Sequence, residues 1–322
     1  MKCSGCGAEV ENDITQCPRC GAPLDGSQPT REITAKLEPR ALEEEWRKKA
    51  PEPLKALAII KMGARTDLGR VRENNEDKFD FFEPEDEETL TARGSFYTVA
   101  DGMGGHAAGQ IASEMALRSI VESYYADLLG DPDEALTRSV QQANSLIYDT
   151  ARAIVERSGM GTTLTGAVVR GDELHVIQVG DSRAYLVRDG AIRQITHDHS
   201  WVSEQVRLGA LTEEEAQSSP FRNVITRSLG AAPGVEPDIY TERLQKGDII
   251  VLCSDGLSGN VSDEEILRTV DGVSPSLAAR RLVDLANERG GSDNITVLVL
   301  QVKDIESKGK GSSRLKRLFG GE

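Results

Sequence analysis

The chain of 322 residues lacks any apolar run of the roughly 18–20 residues that a membrane helix needs. It opens on cysteines and charges rather than on the apolar stretch of a signal peptide, so a cytoplasmic location is expected. It also lacks an excess of base: 53 acidic against 38 basic side chains leave a formal net charge of −15. That balance gives no general attraction to a phosphate backbone, and nucleic acid is not an expected partner. Aromatics reach only 4 %, yet 38 % of residues are apolar, enough aliphatic material for a core. Cysteine is nearly missing after residue 20, where Cys253 stands alone. No internal repeat is visible.

The other four cysteines crowd the N-terminus as Cys3-x2-Cys6 and Cys17-x2-Cys20. In a chain expected in the cytoplasm, such pairs favour a metal over disulfides. Each short knuckle returns its second sulfur beside the first, and Gly7 and Gly21 follow where a tight turn needs positive φ. Four thiolates without histidine fit a closed structural zinc site. Residues 1–24 have little apolar surface, so the metal supplies most of the stability expected of this unit, which resembles a short zinc ribbon. Its reading is a stabilising or docking module, separate from catalysis.

Residues 25–55 read as a charged linker with Pro29, Pro39, Pro51 and Pro53. Within it, 41–50 can form a short helix with Glu43–Arg47, Glu44–Lys48 and Glu45–Lys49 pairs, stopped by Pro51. A main domain is expected over 56–303, followed by a basic flexible tail over 304–322 with Lys308, Lys310, Arg314, Lys316 and Arg317.

Inside that domain AIIKMGART and FYTVADG read as strands, the second entering a Gly-rich turn. HAAGQIASEMALRSIVESYYADLL has helical periodicity, and Asp131-Pro132 opens a second long helix. TLTGAVVR, ELHVIQVG and RAYLVR are strands, with an Asp189-Gly190 hairpin turn before AIRQI. A polar stretch over 198–225 is expected to be mobile. DIIVLC reads as a buried strand, Ser262 and Glu265 as a capping box, 275–289 as a helix, and ITVLVLQV as the last strand. Strands in runs, with two long helices adjacent in sequence, predict an α+β layout rather than alternating βαβ units.

Acidic residues recur where strands end or turns tighten: Glu76-Asp77 in GRVRENNED, Asp101 in VADGMGGH, Asp181 in VGDSRAY, Asp255 in LCSDGLSG and Asp293 in GGSDNIT. A strand anchors each carboxylate, and glycine beside it lets backbone approach a ligand. Taken singly, each Asp-Gly is explained as a turn or a helix cap. A carboxylate buried alone is costly, however, and several together are what hard divalent ions such as Mg²⁺ or Mn²⁺ prefer.

In order along about residues 60–302, GRVRENNED, VADGMGGHAAGQIAS, GMGTTLTGAVV, VGDSRAYLVRDG, ITRSLG, LCSDGLSGNVSDEEI and GGSDNITVLVL resemble the type 2C metal-dependent serine/threonine protein phosphatases in their bacterial form. The resemblance implies an antiparallel β-sandwich flanked by helix pairs, with a two-metal site at one edge. It implies that Asp77 bridges two Mn²⁺ or Mg²⁺ ions and that Asp101 and the Gly102 carbonyl complete much of one shell. Asp255 and Asp293 hold the other ion, Glu76 acts through water, and Asp181 matches a third, weaker ion. Arg72 stands where the family binds phosphate, a task for a bidentate guanidinium. The implied reaction is direct attack of a metal-activated water on phosphoserine or phosphothreonine in proteins, opposing a cognate serine/threonine kinase.

One departure stands out. Animal members carry histidine two residues after the first motif aspartate, where this chain has Met103. His106, three residues on, is the candidate general acid or proton relay, with a hydrogen-bonding turn residue as the alternative. His175, His197 and His199 are weaker candidates, the last two at the start of the 198–225 flap. Cys253 reads as a buried core thiol. Rival readings are a catalytically weak binding module on the same fold and a metal-dependent hydrolase of small phosphoesters.

Overall fold

A computed structural model describes residues 2–3, 6–11, 16–20, 53–105, 107–126 and 128–307. The chain divides into two units, Met1–Lys48 and Lys49–Glu322. The helix expected over 41–50 and the tail from 308 onward lie outside the described residues.

The larger unit is built on antiparallel pairing throughout. Its strands are β1 (Ala56–Asp67), β2 (Lys78–Phe82), β3 (Ser95–Ala100), β4 (Gly102–Met103), β5 (Gly161–Thr162), β6 (Leu164–Arg170), β7 (Glu173–Val179), β8 (Arg183–Arg188), β9 (Ala191–Gln194), β10 (Asp238–Arg243), β11 (Ile249–Cys253) and β12 (Ile295–Ser307). Its helices are α1 (Glu87–Arg93), α2 (Ala107–Ala126), α3 (Pro132–Ala153), α4 (Trp201–Arg207), α5 (Glu213–Ser218), α6 (Asp255–Ser258), α7 (Asp263–Val270) and α8 (Pro275–Glu288). One sheet runs β1-β12-β11-β8-β9, a second β10-β7-β6-β3-β2, and β4-β5 form a small ribbon.

The apolar runs explain the layering. Along β11, Ile250 and Leu252 join Leu298, Leu300, Tyr97, Val99 and Val176 in the core between the sheets. The alternate residues Ile249, Val251 and Cys253 point the other way, onto Ile266 of α7 and Leu282 and Val283 of α8. A strand buried on both faces reads as a continuous apolar run, as β11 does. The second sheet packs its outer face, including Leu164, Val168 and Ile177, on α2 and α3 through Ala112, Ala116, Ile120, Val140 and Ile147. The result is a helix–sheet–sheet–helix sandwich, as the resemblance implied.

Local signals hold in detail. Asp131 caps α3 by accepting from the Asp133 and Glu134 N–H groups, with Pro132 at its first turn. Asp189 and Gly190 both take positive φ in the β8–β9 hairpin. Ser262 and Glu265 form the capping box of α7. Two details go beyond the pattern. The polar stretch 198–225 carries α4 and α5: Ser200 caps the first, and a Thr212–Glu215 capping box starts the second. The last strand continues past 303 to Ser307 because it pairs with β1 along its whole length, Ala56 lying opposite Ser307.

In the smaller unit, Cys3 N–H donates to the Ala8 carbonyl and Gly7 N–H to the Cys3 carbonyl, with Gly7 at φ 71°. This is the tight knuckle turn that glycine permits. Gly21 lies outside the described residues.

Candidate active site

The acidic residues singled out in the sequence converge at the ends of the central strands. Asp101 follows β3, and its backbone is fixed by the Gly161-Thr162-Thr163 run. Thr163 Oγ1 accepts from the Asp101 N–H at 2.9 Å, while Thr162 Oγ1 and the Thr163 N–H both donate to the Asp101 carbonyl at 2.9 Å. Asp181 sits between β7 and β8, after Gly180 at φ 105°. Thr163 Oγ1 also meets Ser182 Oγ at 2.8 Å, so one threonine braces both turns. Asp255 begins α6 directly after β11, and Asp293 precedes β12.

Glu76 and Asp77 end the loop between β1 and β2. Asp77 is 2 % exposed, and its Oδ2 accepts from Ser254 Oγ at 2.7 Å. Glu76 is held by its backbone: its N–H donates to Asn294 Oδ1 at 2.8 Å, and its carbonyl accepts from Ser113 Oγ at 2.7 Å. Its carboxylate lies against the first turns of α2, where a Cβ on Gly109 would stand 2.1 Å from Glu76 Oε2. Only glycine fits there.

The charges of these groups act on one another. Burial, then repulsion from Asp255 and Asp293, pushes Asp77 up to about 7 against the pull of its hydroxyl partners. Asp101 is driven well above the usual carboxylate range by burial and by Asp77, Asp255, Asp181 and Asp293. Asp181 is pushed to about 7 by burial and Asp255, and Asp255 is raised by burial and Asp293. Buried carboxyls that repel one another in this way need positive charge nearby.

The donor set fits a hard cation. The Oδ1 atoms of Asp77, Asp181 and Asp255 are buried with no hydrogen-bond partner among the described residues. Buried oxygens of that kind are rare unless a ligand or ion satisfies them. An all-carboxylate set suits Mg²⁺ or Mn²⁺. Arg72 borders the cluster: its Nη2 donates to Asp293 Oδ2 at 2.7 Å, and its side chain stays 54 % exposed. That hydrogen bond raises its pKa, and the charges of Asp101 and Glu76 also reach it.

The histidines separate. His106 lies outside the described residues, and Met103 pairs with Gly161 in the β4–β5 ribbon. His199 is a buried anchor: its Nδ1 accepts from the Gly180 N–H at 3.0 Å, and its Nε2 faces Asp238 Oδ2 at 3.1 Å. Burial lowers its pKa. It ties the 198–225 segment to the turn that carries Asp181. His175 pairs with Asp133 at 2.7 Å, at the start of α3. His197 places its ring edge-on to Tyr240. Cys253 is fully buried, its thiol pushed up to about 12 by burial. Two residues that pattern reading passed over, Ser254 and Asn294, hold the site from within motifs that did stand out; their neutral side chains gave no signal of their own.

In the smaller unit the four cysteine Sγ atoms lie within 4.8 Å of one another. Cys3 and Cys20 are 3.6 Å apart, Cys6 and Cys17 3.7 Å. Zinc–sulfur bonds of about 2.3 Å in a tetrahedron imply sulfur–sulfur edges near 3.8 Å, which these match. Backbone N–H groups of Arg19 and Cys20 help lower the Cys17 thiol to about 6, favouring the thiolate.

Residues 64–295 match the family described as protein phosphatase 2C. The chain belongs to this family, and is thus a metal-dependent protein phosphatase of the serine/threonine class. It is 39 % identical to the serine/threonine phosphatase stp of Listeria monocytogenes, an alignment covering 77 % of this chain and 98 % of that one. Among solved structures, the S. agalactiae serine/threonine phosphatase superposes with a TM-score of 0.70 at 37 % identity, covering 76 % of this chain and 100 % of that one. The catalytic domain of serine/threonine protein phosphatase PstP, solved in complex with two manganese ions, gives 0.66 at 38 % identity, covering 76 % and 99 %. The four-cysteine segment precedes the matched residues. No described helix is long and apolar enough to cross a membrane.

Proposed function

We propose that this chain hydrolyses phosphoserine and phosphothreonine in proteins at the Asp77–Asp101–Asp255–Asp293 cluster, opposing a serine/threonine kinase in the cytoplasm. The observation that carries the reading is the set of buried Oδ1 atoms without partners beside an exposed arginine. Asp77, Asp101, the Gly102 carbonyl, Asp255 and Asp293 would hold two Mn²⁺ or Mg²⁺ ions, with Glu76 acting through water and Asp181 serving a third, weaker one. Such ions supply Lewis acidity that makes water a nucleophile at neutral pH.

The protein's own groups do the rest. Arg72 binds the non-bridging phosphate oxygens through a planar fork of N–H donors, which fixes the phosphorus against the carboxylate cluster. As charge redistributes during the displacement, the same guanidinium stabilises it. Ser254 orients the Asp77 carboxylate, and Thr163 fixes the backbone that carries Asp101. His106 is the candidate proton donor to the leaving serine or threonine oxygen. In the smaller unit, Cys3, Cys6, Cys17 and Cys20 would hold one structural Zn²⁺, a closed site with no position open to substrate. We read 1–24 as that module, 25–55 as linker, 56–303 with the last strand's continuation to Ser307 as the catalytic domain, and the residues after it as a basic tail.

The test is turnover of phosphoserine, phosphothreonine and phosphotyrosine peptides and of metabolite phosphates, with Mn²⁺ or with chelator. Metal-dependent release from the first two, faster than from metabolites, is expected. Equal rates on metabolites, or rates unaffected by chelator, would refute the assignment.

A further inference from the structure

The β1–β2 loop, residues 68–77, has no regular secondary structure and carries Arg72 on an exposed arc. The Arg70 N–H donates to the Gly291 carbonyl at 2.7 Å, and one side chain ties down both sides of Arg72. Asn294 is 5 % exposed, and its Nδ2 donates to the Leu68 carbonyl at 3.0 Å and to the Asn74 carbonyl at 2.9 Å. These carbonyls lie on either side of Arg72 in the chain, so the two N–H groups of one amide pin both ends of the arc. The Oδ1 of the same amide accepts from the Glu76 N–H at 2.8 Å. The Asn294 backbone N–H donates to Asp293 Oδ1 at 2.8 Å, while Asp293 Oδ2 takes the Arg72 guanidinium at 2.7 Å. The loop also lies flush on this turn: a Cβ on Gly69 would stand 2.2 Å from the Asp293 carbonyl oxygen.

We propose that Asn294 is a positioning residue for substrate binding: its side-chain amide closes the 68–77 loop onto the Asp293 turn and thereby sets where Arg72 stands to receive phosphate. The argument is one of capacity. A primary amide offers two donors and an acceptor, and all are used here, each toward a different point of one loop. No other proteinogenic side chain of this size offers both donors and the acceptor: aspartate keeps the oxygen for Glu76 but cannot donate to Leu68 and Asn74, and leucine keeps only the volume. Without those two donors the Leu68 and Asn74 carbonyls lose the tether they share, and the arc opens toward solvent. An arginine bound to phosphate as a fork loses affinity when its backbone wanders, because the geometry and not the charge alone is what binds. The effect therefore falls on KM more than on kcat.

This inference rests on Arg72 being the phosphate clamp, and a double-mutant cycle separates the two. The full-length, Mn²⁺-loaded protein is assayed on a phosphothreonine peptide as wild type, Asn294→Ala, Arg72→Ala and the double variant. Asn294→Ala should raise KM about 10-fold while kcat stays within about 3-fold. In the Arg72→Ala background the same change should add less than about 2-fold, because the arc no longer carries a clamp. Hydrogen exchange of amides in 68–77 should quicken in Asn294→Ala, with β1 and β12 unchanged. Asn294→Asp should bind peptide as poorly as Asn294→Ala, since it too lacks the donors. If Arg72→Ala leaves KM unchanged, the clamp reading itself is wrong. If Arg72→Ala raises KM and the two effects multiply, only the positioning role of Asn294 is overturned. The same holds if Asn294→Asp restores KM, or if both Asn294 variants are unfolded at assay temperature, which would make the residue a fold determinant.

Discussion

Ser254 Oγ donates to Asp77 Oδ2 at 2.7 Å across 177 residues of sequence, and both residues are buried. The same hydroxyl accepts from the Thr296 N–H at 3.0 Å. A single serine just after β11 thus orients a loop carboxylate, leaving Asp77 Oδ1 buried with no hydrogen-bond partner among the described residues.

Removing that hydroxyl should loosen the carboxylate without removing it. Ser254→Ala is expected to weaken Mn²⁺ binding about 10-fold, the lower end for groups that orient metal ligands. Ser254→Thr, which keeps the hydroxyl, should bind nearly as wild type. Calorimetric titration of Mn²⁺ into each variant checks this; equal affinities for all three would show that Asp77 needs no orienting partner.

Asp77→Asn and Asp255→Asn each take charge from a site whose carboxyls already repel one another. Turnover on phosphopeptide should fall by at least about 100-fold in each, with bound manganese reduced. Near-normal rates in both folded variants would end the carboxylate-site mechanism.

His199 gives a pH dependence with a defined sign. Burial keeps its ring below the ordinary value of 6.5, and protonation would set an Nδ1 hydrogen against the Gly180 N–H. Asp238, Arg227 and Asp198 are the charged groups that act on it. The unfolded chain takes up a proton near 6.5 and the folded one does not, so the contribution is present above that pH and is lost as pH falls below it. Thermal unfolding at pH 7.5 and 5.5 should show a larger loss of Tm for wild type than for His199→Gln. Identical losses would mean that this ring does not govern the window.

The four-cysteine unit should be separable. A chain beginning at Pro53 keeps Leu54, which lies beside Gly171, and all of β1. It should lose one zinc per chain, remain folded, and keep most of its kcat on a short phosphopeptide. Metal analysis of both proteins together with kcat on one peptide decides the matter. A folded, manganese-loaded but nearly inactive truncation would show that the unit supports catalysis directly. A loss confined to a full-length protein substrate would point to docking through a second, tethered contact.

The sequence exposed the parts of this fold that repeat a period or break one. β11 and β12 were legible because burial on both faces leaves an uninterrupted apolar run, and α3 because Asp131-Pro132 marks its start. The acidic residues stood out because five positions at strand ends or tight turns recur in order, although each Asp-Gly alone reads as a turn or a cap. β2 and β10 went unread: both are short edge strands, β10 carries Thr241, Glu242 and Arg243, and β2 breaks its phenylalanines with Asp80. Helices α4 and α5 were hidden by polarity: their signals are caps, Ser200 and Thr212, rather than apolar faces. Asn294 and Ser254 could not be recognised from type, because a neutral side chain declares its role only through the partners that folding brings to it.

The pairing of β1 with β12 has a practical consequence for anything attached to this enzyme. Ala56 faces Ser307 at one end of the pair, and Asp67 faces Ile295 at the other, next to the loops that bear Arg72 and Asp293. Twelve residues of strand at about 3.3 Å each separate the two ends, close to 40 Å. Fusions, tags or surface tethers joined at either boundary of the catalytic body therefore leave from one shared edge and point away from the reaction. A short peptide bridge between those boundaries would close the body into a ring, which could be reopened at the exposed Asp189-Gly190 hairpin without cutting a loop of the catalytic centre.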